Sequence, residues 1–211
     1  MLRVASAPGE GLYPAATKGI GGACFKSFLR ARFRFMATIY TIGHSTRSLE
    51  ELVEALRAHG IQTLADIRSF PMSRRLPHFN RERLESELPR AGIQYIWEPG
   101  LGGRRKKILQ ESRNTALRND SFRNYADYML TPEFRSAIDN LIARAERERI
   151  AMMCAERVYF RCHRMLVSDW LAAHGHEVLH IDAAGPVKPH RQLAEGRLEG
   201  GQLIYDGGDL F

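Results

Sequence analysis

Apolar positions along the chain switch between two periods. Thr38–Ile42 is short, β-branched and aromatic, as a buried strand is. A polar corner, Gly43-His44-Ser45-Thr46-Arg47, follows it. Leu49, Leu52, Val53 and Leu56 then recur at helical spacing behind Ser48-Leu49-Glu50-Glu51, a capping box. Gly60 is placed to close that helix as a left-handed cap, and Thr63–Ile67 reads as a second strand. Strand, helix and strand within about thirty residues predict a βαβ unit with parallel strands.

The alternation continues. Ser69–Asn80 is interrupted by Pro71 and Pro77, so it reads as a long loop rather than a helix or central strand. Asn80 is expected to cap a short helix with Leu84 and Leu88 inward, and Ile93–Trp97 is a third strand. After it come Leu101-Gly102-Gly103 and a basic run, Arg104–Lys107. Asp120 or Ser121 is expected to cap a helix carrying Phe122, Tyr125, Ala126 and Met129. Thr131-Pro132-Glu133 starts the next, with Phe134, Ala137, Ile138, Leu141, Ile142 and Ala145 as its apolar stripe. Ile150–Met153 is an apolar strand ending in Cys154-Ala155-Glu156. Cys162-His163-Arg164 opens a helix that carries Leu166, Val167, Trp170 and Leu171 inward and ends at Gly175. Glu177–Ile181, with His180 near its end, is the last clear strand; Gln202–Tyr205 is expected as an edge strand. This order predicts an α/β fold of three layers, a mainly parallel open sheet of about five strands with helices on both faces.

Composition adjusts this picture at the N-terminus. A chain of 211 residues, 44% hydrophobic, suits one domain, and no apolar run is long enough for a bilayer. Of the net charge of +7, residues 1–35 contribute +5 (Arg3, Lys18, Lys26, Arg30, Arg32 and Arg34 against Glu10). The remainder is near neutral, which weighs against a nucleic-acid binder driven by net charge. Residues 1–35 read either as a mis-set start, with Met36 the first residue, or as a disordered or targeting arm; 36–211 is then the single α/β domain. Three cysteines, Cys24, Cys154 and Cys162, and no secretory pattern point to a reducing, cytoplasmic setting.

The polar clusters follow the strands, and in a parallel sheet those carboxyl ends share one edge, where ligands bind. Cys162, at a helix start beside Arg164, has its thiolate favoured by the helix dipole and the guanidinium. Cys154 is either its chemical partner or a small buried hydrophobe. Cys154, Cys162 and His163 could supply three ligands, but their spacing fits no standard zinc pattern, so no metal is assigned and no cofactor is identified. A phosphate-binding cysteine loop is disfavoured, because Ala155–Phe160 has no glycine and Glu156 repels phosphate. His44 and Ser45 are an acid/base pair or a helix-start cap. Asp66 in an apolar strand needs a partner, and Arg68, two residues on, lies on the same side. Phe79, Tyr125 and Tyr128 are base-stacking candidates or core. Arg74, Arg75 and Arg104–Lys107 are anion anchors or a solvated face.

Taken together, several of these motifs resemble the family called domain of unknown function 488. They are Gly43-His44-Ser45; Asp66-Ile67-Arg68 with Pro71, Ser73-Arg74 and Pro77…Phe79-Asn80; Leu101-Gly102-Gly103; Tyr125…Tyr128-Met129; and Cys154-Ala155-Glu156…Cys162-His163-Arg164 leading to His180-Ile181. The match runs from about 38 to 181, with Arg157–Arg161 departing from the family's shorter, proline-containing link. The resemblance implies a compact α/β domain with these motifs at one site and no established activity.

The expected function is an enzyme acting on a small anionic or nucleotide-like substrate. Cys154, Glu156, Cys162, His163, His44 and Asp66 are its catalytic candidates; Ser45, Arg68, Ser73, Arg74 and Arg164 are the substrate anchors. The alternative is a non-catalytic module that binds a nucleotide or nucleic acid. Neither reading involves a membrane.

Overall fold

A computed structural model of the chain describes residues 36–207. The expectations for residues 1–35, Cys24 included, lie outside the described residues. Five parallel strands form the centre of the sheet: β1 (Thr38–Gly43), β2 (Thr63–Asp66), β3 (Gln94–Trp97), β4 (Ile150–Cys154) and β5 (Glu177–Ile181). The helices between them are α1 (Leu49–Ala58), α2 (Arg81–Arg90), α3 (Asp120–Tyr128), α4 (Pro132–Ala145) and α5 (Arg164–Ala173). A short antiparallel β6 (Lys188–Pro189) joins β5, giving the order β3-β2-β4-β1-β5-β6.

Alternate strand residues divide the core between two faces, as a period of two requires. Ile39, Ala65, Ile67, Ile150, Met152 and Val178 pack with the buried stripes of α3, α4 and α5. Ile42, Leu64, Ala151, Met153 and Ile181 pack with α1 and α2. The three-layer α/β fold read from the periodicity is the one observed.

Local signals account for most element ends. Ser48 and Glu51 complete the reciprocal capping box of α1, Thr131 caps α4 through Phe134 N–H, and Gly60 and Gly175 take φ of 64° and 82° just beyond α1 and α5. Three ends differ from expectation. Asn80 precedes α2 without capping it, because its Oδ1 accepts from Ser73 N–H at 2.6 Å. Asn119, rather than Asp120 or Ser121, caps α3 by accepting from the N–H groups of Ser121 and Phe122. Gln202–Tyr205 is a strand (β8), yet it does not edge the main sheet. It pairs with β7 (Gly196–Glu199) in a hairpin turned by Gly200 and Gly201, both at positive φ. Among the described residues no helix is long and apolar enough to cross a membrane.

The strand order is what builds the site. β4 inserts between β1 and β2. The ladders run past the strand ends: His44 N–H donates to Cys154 O, Ser45 N–H to Ala155 O, and Ile67 N–H to Met153 O, at 2.9–3.0 Å. The segments after β1, β2 and β4 are therefore held side by side.

Candidate active site

A cleft of about 900 Å³ opens at these carboxyl ends. Its lining includes His44, Ser45, Arg68 and Ser73 on one side and Cys154, Glu156, Cys162 and His163 on the other. Phe70, Arg104 and Arg161, all exposed, stand at the mouth, with the Arg104 guanidinium 5.8 Å from the Phe70 ring centre.

The floor is a cluster of two thiols and an imidazole. His163 Nδ1 lies 3.5 Å from Cys162 Sγ and 3.8 Å from Cys154 Sγ. The other ring nitrogen, Nε2, faces the Ile67 carbonyl at 3.2 Å. A carbonyl only accepts, so Nε2 carries a hydrogen and Nδ1 is the atom that exchanges a proton with the sulfurs. The Cys162 thiol is driven down to about 3. The hydrogen bond from Cys154 is the largest cause, and His163 and Arg164 add to it against the opposing effect of burial. Cys154 is pushed well up by the same hydrogen bond and by burial. Of the pair, Cys162 is the sulfur whose thiolate is favoured and Cys154 the one whose thiol is favoured.

Glycine makes this approach possible at two positions. A Cβ on Gly43 would lie 2.0 Å from the Glu156 carbonyl oxygen, and one on Gly103 would lie 2.4 Å from His163 Nδ1. Both distances are far inside van der Waals contact. Ser45, the next residue but one after Gly43, takes φ 51°, a strained conformation for a residue with a side chain.

Three candidates do not line the cleft. Asp66 is fully buried beneath Arg68 and receives Arg68 Nε at 2.8 Å, Arg68 N–H at 3.0 Å and the Tyr95 hydroxyl at 2.7 Å. Arg68 Nη2 also donates to the Phe79 carbonyl and Nη1 to His44 Nε2. Asp66 is therefore the fixed counter-charge that aims Arg68. Arg164 is 1% exposed and lies under the loop after β4, where it donates to the carbonyls of Glu156 and Arg157 and to Thr41 Oγ1. It shapes the loop and adds positive potential below Cys162. Arg74 is exposed on the proline loop, outside the cleft lining. Of that loop, Ser73 lines the cleft, and its Oγ accepts from Leu76 N–H.

Tyr95 and Thr41 carried no signal of their own in the sequence. Tyr95 shares the face of Asp66 through the β2–β3 register. Thr41 starts a buried relay: Arg164 donates to Thr41 Oγ1, and His180 Nδ1 is 2.7 Å from the same oxygen. His180 Nε2 reaches His190 Nδ1 at 3.0 Å, and His190 Nε2 reaches Asp169 at 2.7 Å. Tyr159, inside the loop between the two cysteines, stacks on His180 at 3.6 Å. The relay ties the tail after β6 to α5 and steadies that loop.

Burial lowers two of these histidines, to about 4 for His44, helped by Arg68, and to about 3 for His180, helped by His190 and Arg164. Both are depressed from 6.5, so each contributes stability that is full above that pH. It is lost as pH falls toward about 4 and about 3 respectively. The unfolding free energy read from urea titrations is expected to fall between pH 7 and pH 4.5, by about 2 kcal/mol per histidine, and the midpoint with it. His180→Gln should flatten that slope; a midpoint unchanged over the range would rule out the assignment.

Two thiols and an imidazole within 4.8 Å of one another are a donor set that a soft ion could use. They number one fewer than a closed zinc site, and Arg68 and Arg164 place positive charge on the same two sulfurs.

The family described as Domain of unknown function DUF488 matches residues 48–171, a span that holds Arg68, Gly103, both thiols and His163. No curated protein and no solved structure matches the chain.

Proposed function

The chain belongs to the DUF488 family, and from that premise and the geometry of its cleft we propose that it is an enzyme acting on a small anionic, nucleotide-like substrate, with Cys162 as nucleophile. The observation that carries this reading is the Cys162–His163–Cys154 cluster at the floor of an open cleft. A thiolate held at the start of a helix, with an imidazole to manage its proton, is a nucleophile ready at neutral pH. Arg68 presents its guanidinium edge beside His44, and Arg104 and Arg161 add charge at the mouth. Together they suit a phosphate or carboxylate.

The roles follow from position. Cys162 attacks an electrophilic centre of the bound substrate, and His163 Nδ1 returns the proton to the leaving group. Glu156, exposed on the cleft wall, is the second acid/base group. His44, neutral and accepting from Arg68, orients that arginine rather than carrying protons. Phe70 offers a ring face for a base at the mouth.

The test is the pH dependence of Cys162 alkylation by iodoacetamide, read by peptide mass. Reaction at pH 5 is expected to persist near its neutral rate, whereas an ordinary thiol slows on the order of a hundredfold. An excess of a nucleoside monophosphate should slow the reaction by filling the cleft. If Cys162 shows an ordinary thiol's acid limb, the nucleophile reading is lost and the cleft falls to the rival class, a non-catalytic nucleotide-binding module.

A further inference from the structure

We propose that Cys154 is a resolving thiol, and that the pair cycles between dithiol and disulfide by exchange with a small disulfide that bears carboxylates. This rests on the reading of Cys162 as the cleft's thiolate and adds to it a second reacting residue and a substrate class.

The argument begins with geometry. Cys154 ends β4, and the seven residues Ala155–Arg161 return the chain to Cys162. Both sulfurs line the cleft, both face the same nitrogen of His163, and all three atoms lie within 4.8 Å of one another. A disulfide needs the sulfurs at about 2.05 Å, and rotation about one Cα–Cβ bond moves a sulfur by up to about 3 Å. The closure therefore lies within the reach of the side chains. A thiol so placed beside a nucleophile at the cleft floor also stands next to any sulfur that the nucleophile captures.

The exchange balances as follows. The Cys162 thiolate attacks one sulfur of R–S–S–R, forming Cys162–S–S–R and expelling RS⁻, which takes a proton from solvent. Cys154 then loses its proton through His163 Nδ1 and attacks the Cys162 sulfur. The second RS⁻ leaves and receives that proton. The two cysteines have given up two electrons, and the small disulfide has become two thiols. Carboxylates on R meet Arg104 and Arg161 at the mouth and Arg68 within. Arg164 and the start of α5 stabilise the thiolate and hence the reduced pair, so the disulfide formed is an oxidising one and the resting state is the dithiol.

Oxidised glutathione is a suitable probe, with N-ethylmaleimide to quench and peptide mass to read. Arg149, Arg157 and Arg161 place Cys154 and Cys162 on separate tryptic peptides, and Cys24 on a third. The full chain is expected to yield the Cys154–Cys162 cross-linked peptide with no lasting adduct. Cys154→Ser should instead accumulate one glutathione on Cys162, and Cys162→Ser should leave Cys154 unmodified. A stable glutathione adduct on Cys162 of the unaltered chain would overturn the resolving role while leaving the nucleophile reading intact. No reaction at Cys162, with an ordinary acid limb in its alkylation, would remove both.

Discussion

Asp66→Ala is expected to cost about 3–5 kcal/mol of folding stability, the range for breaking a buried ion pair from one side. Asp66 is fully buried and Arg68 is 6% exposed, and their oxygen–nitrogen contacts lie at 2.5–3.0 Å. Without the carboxylate, the Arg68 guanidinium is left buried with only the Phe79 carbonyl and His44 Nε2 as acceptors, and the Tyr95 hydroxyl loses its partner. The cost lies less in the lost attraction than in the charge left uncompensated. The double variant Asp66→Ala/Arg68→Met should therefore recover much of the loss, because it removes the stranded charge as well. Urea unfolding of the two variants beside the parent decides the matter. A single variant within about 1 kcal/mol of the parent would contradict the counter-charge role, since surface pairs are worth that little.

Gly103→Ala is expected to disable the floor of the cleft while the sheet remains folded. The added methyl would lie 2.4 Å from His163 Nδ1 and 2.6 Å from Cγ. The imidazole is a rigid ring with little freedom to yield in place: Nε2 is held on the Ile67 carbonyl, and the Tyr125 ring stands edge-on at 5.2 Å. Relief comes by moving the ring off the sulfurs. The acid limb of Cys162 alkylation should then move to higher pH, as the thiolate loses the neighbouring imidazole while keeping the Cys154 hydrogen bond. Overpacking of this kind costs about 1–3 kcal/mol, which the fold should tolerate. An unchanged alkylation profile in a well-folded variant would show that the imidazole does not govern the thiol.

Much of the lining of the candidate cleft was legible in the sequence. His44, Ser45, Arg68, Ser73, Cys154, Glu156, Cys162 and His163, singled out because they follow strands, line one cleft. They come together because parallel strands expose their carboxyl ends on one edge, whatever their order. It went less far for Asp66, Arg74 and Arg164. Two-residue spacing puts Asp66 and Arg68 on one side of a strand, but it does not say that Tyr95 and the Phe79 carbonyl close over them. Arg164 looked like an anchor beside the thiol; the loop after β4 folds over it instead and takes its hydrogen bonds.

The sequence by itself determined the elements and their two-sided burial, because local periodicity, the Ser48 and Thr131 caps and the glycines after α1 and α5 act within a few residues. Only the tertiary structure decided which elements are neighbours. The insertion of β4 between β1 and β2 brings Cys154 beside His44 and the end of β2. It took Asn80 from capping duty to hold Ser73. It paired Gln202–Tyr205 with Gly196–Glu199, away from the main sheet. These outcomes depend on strand register and on hydrogen-bond partners far away in the chain, and side-chain spacing within one segment carries no record of either.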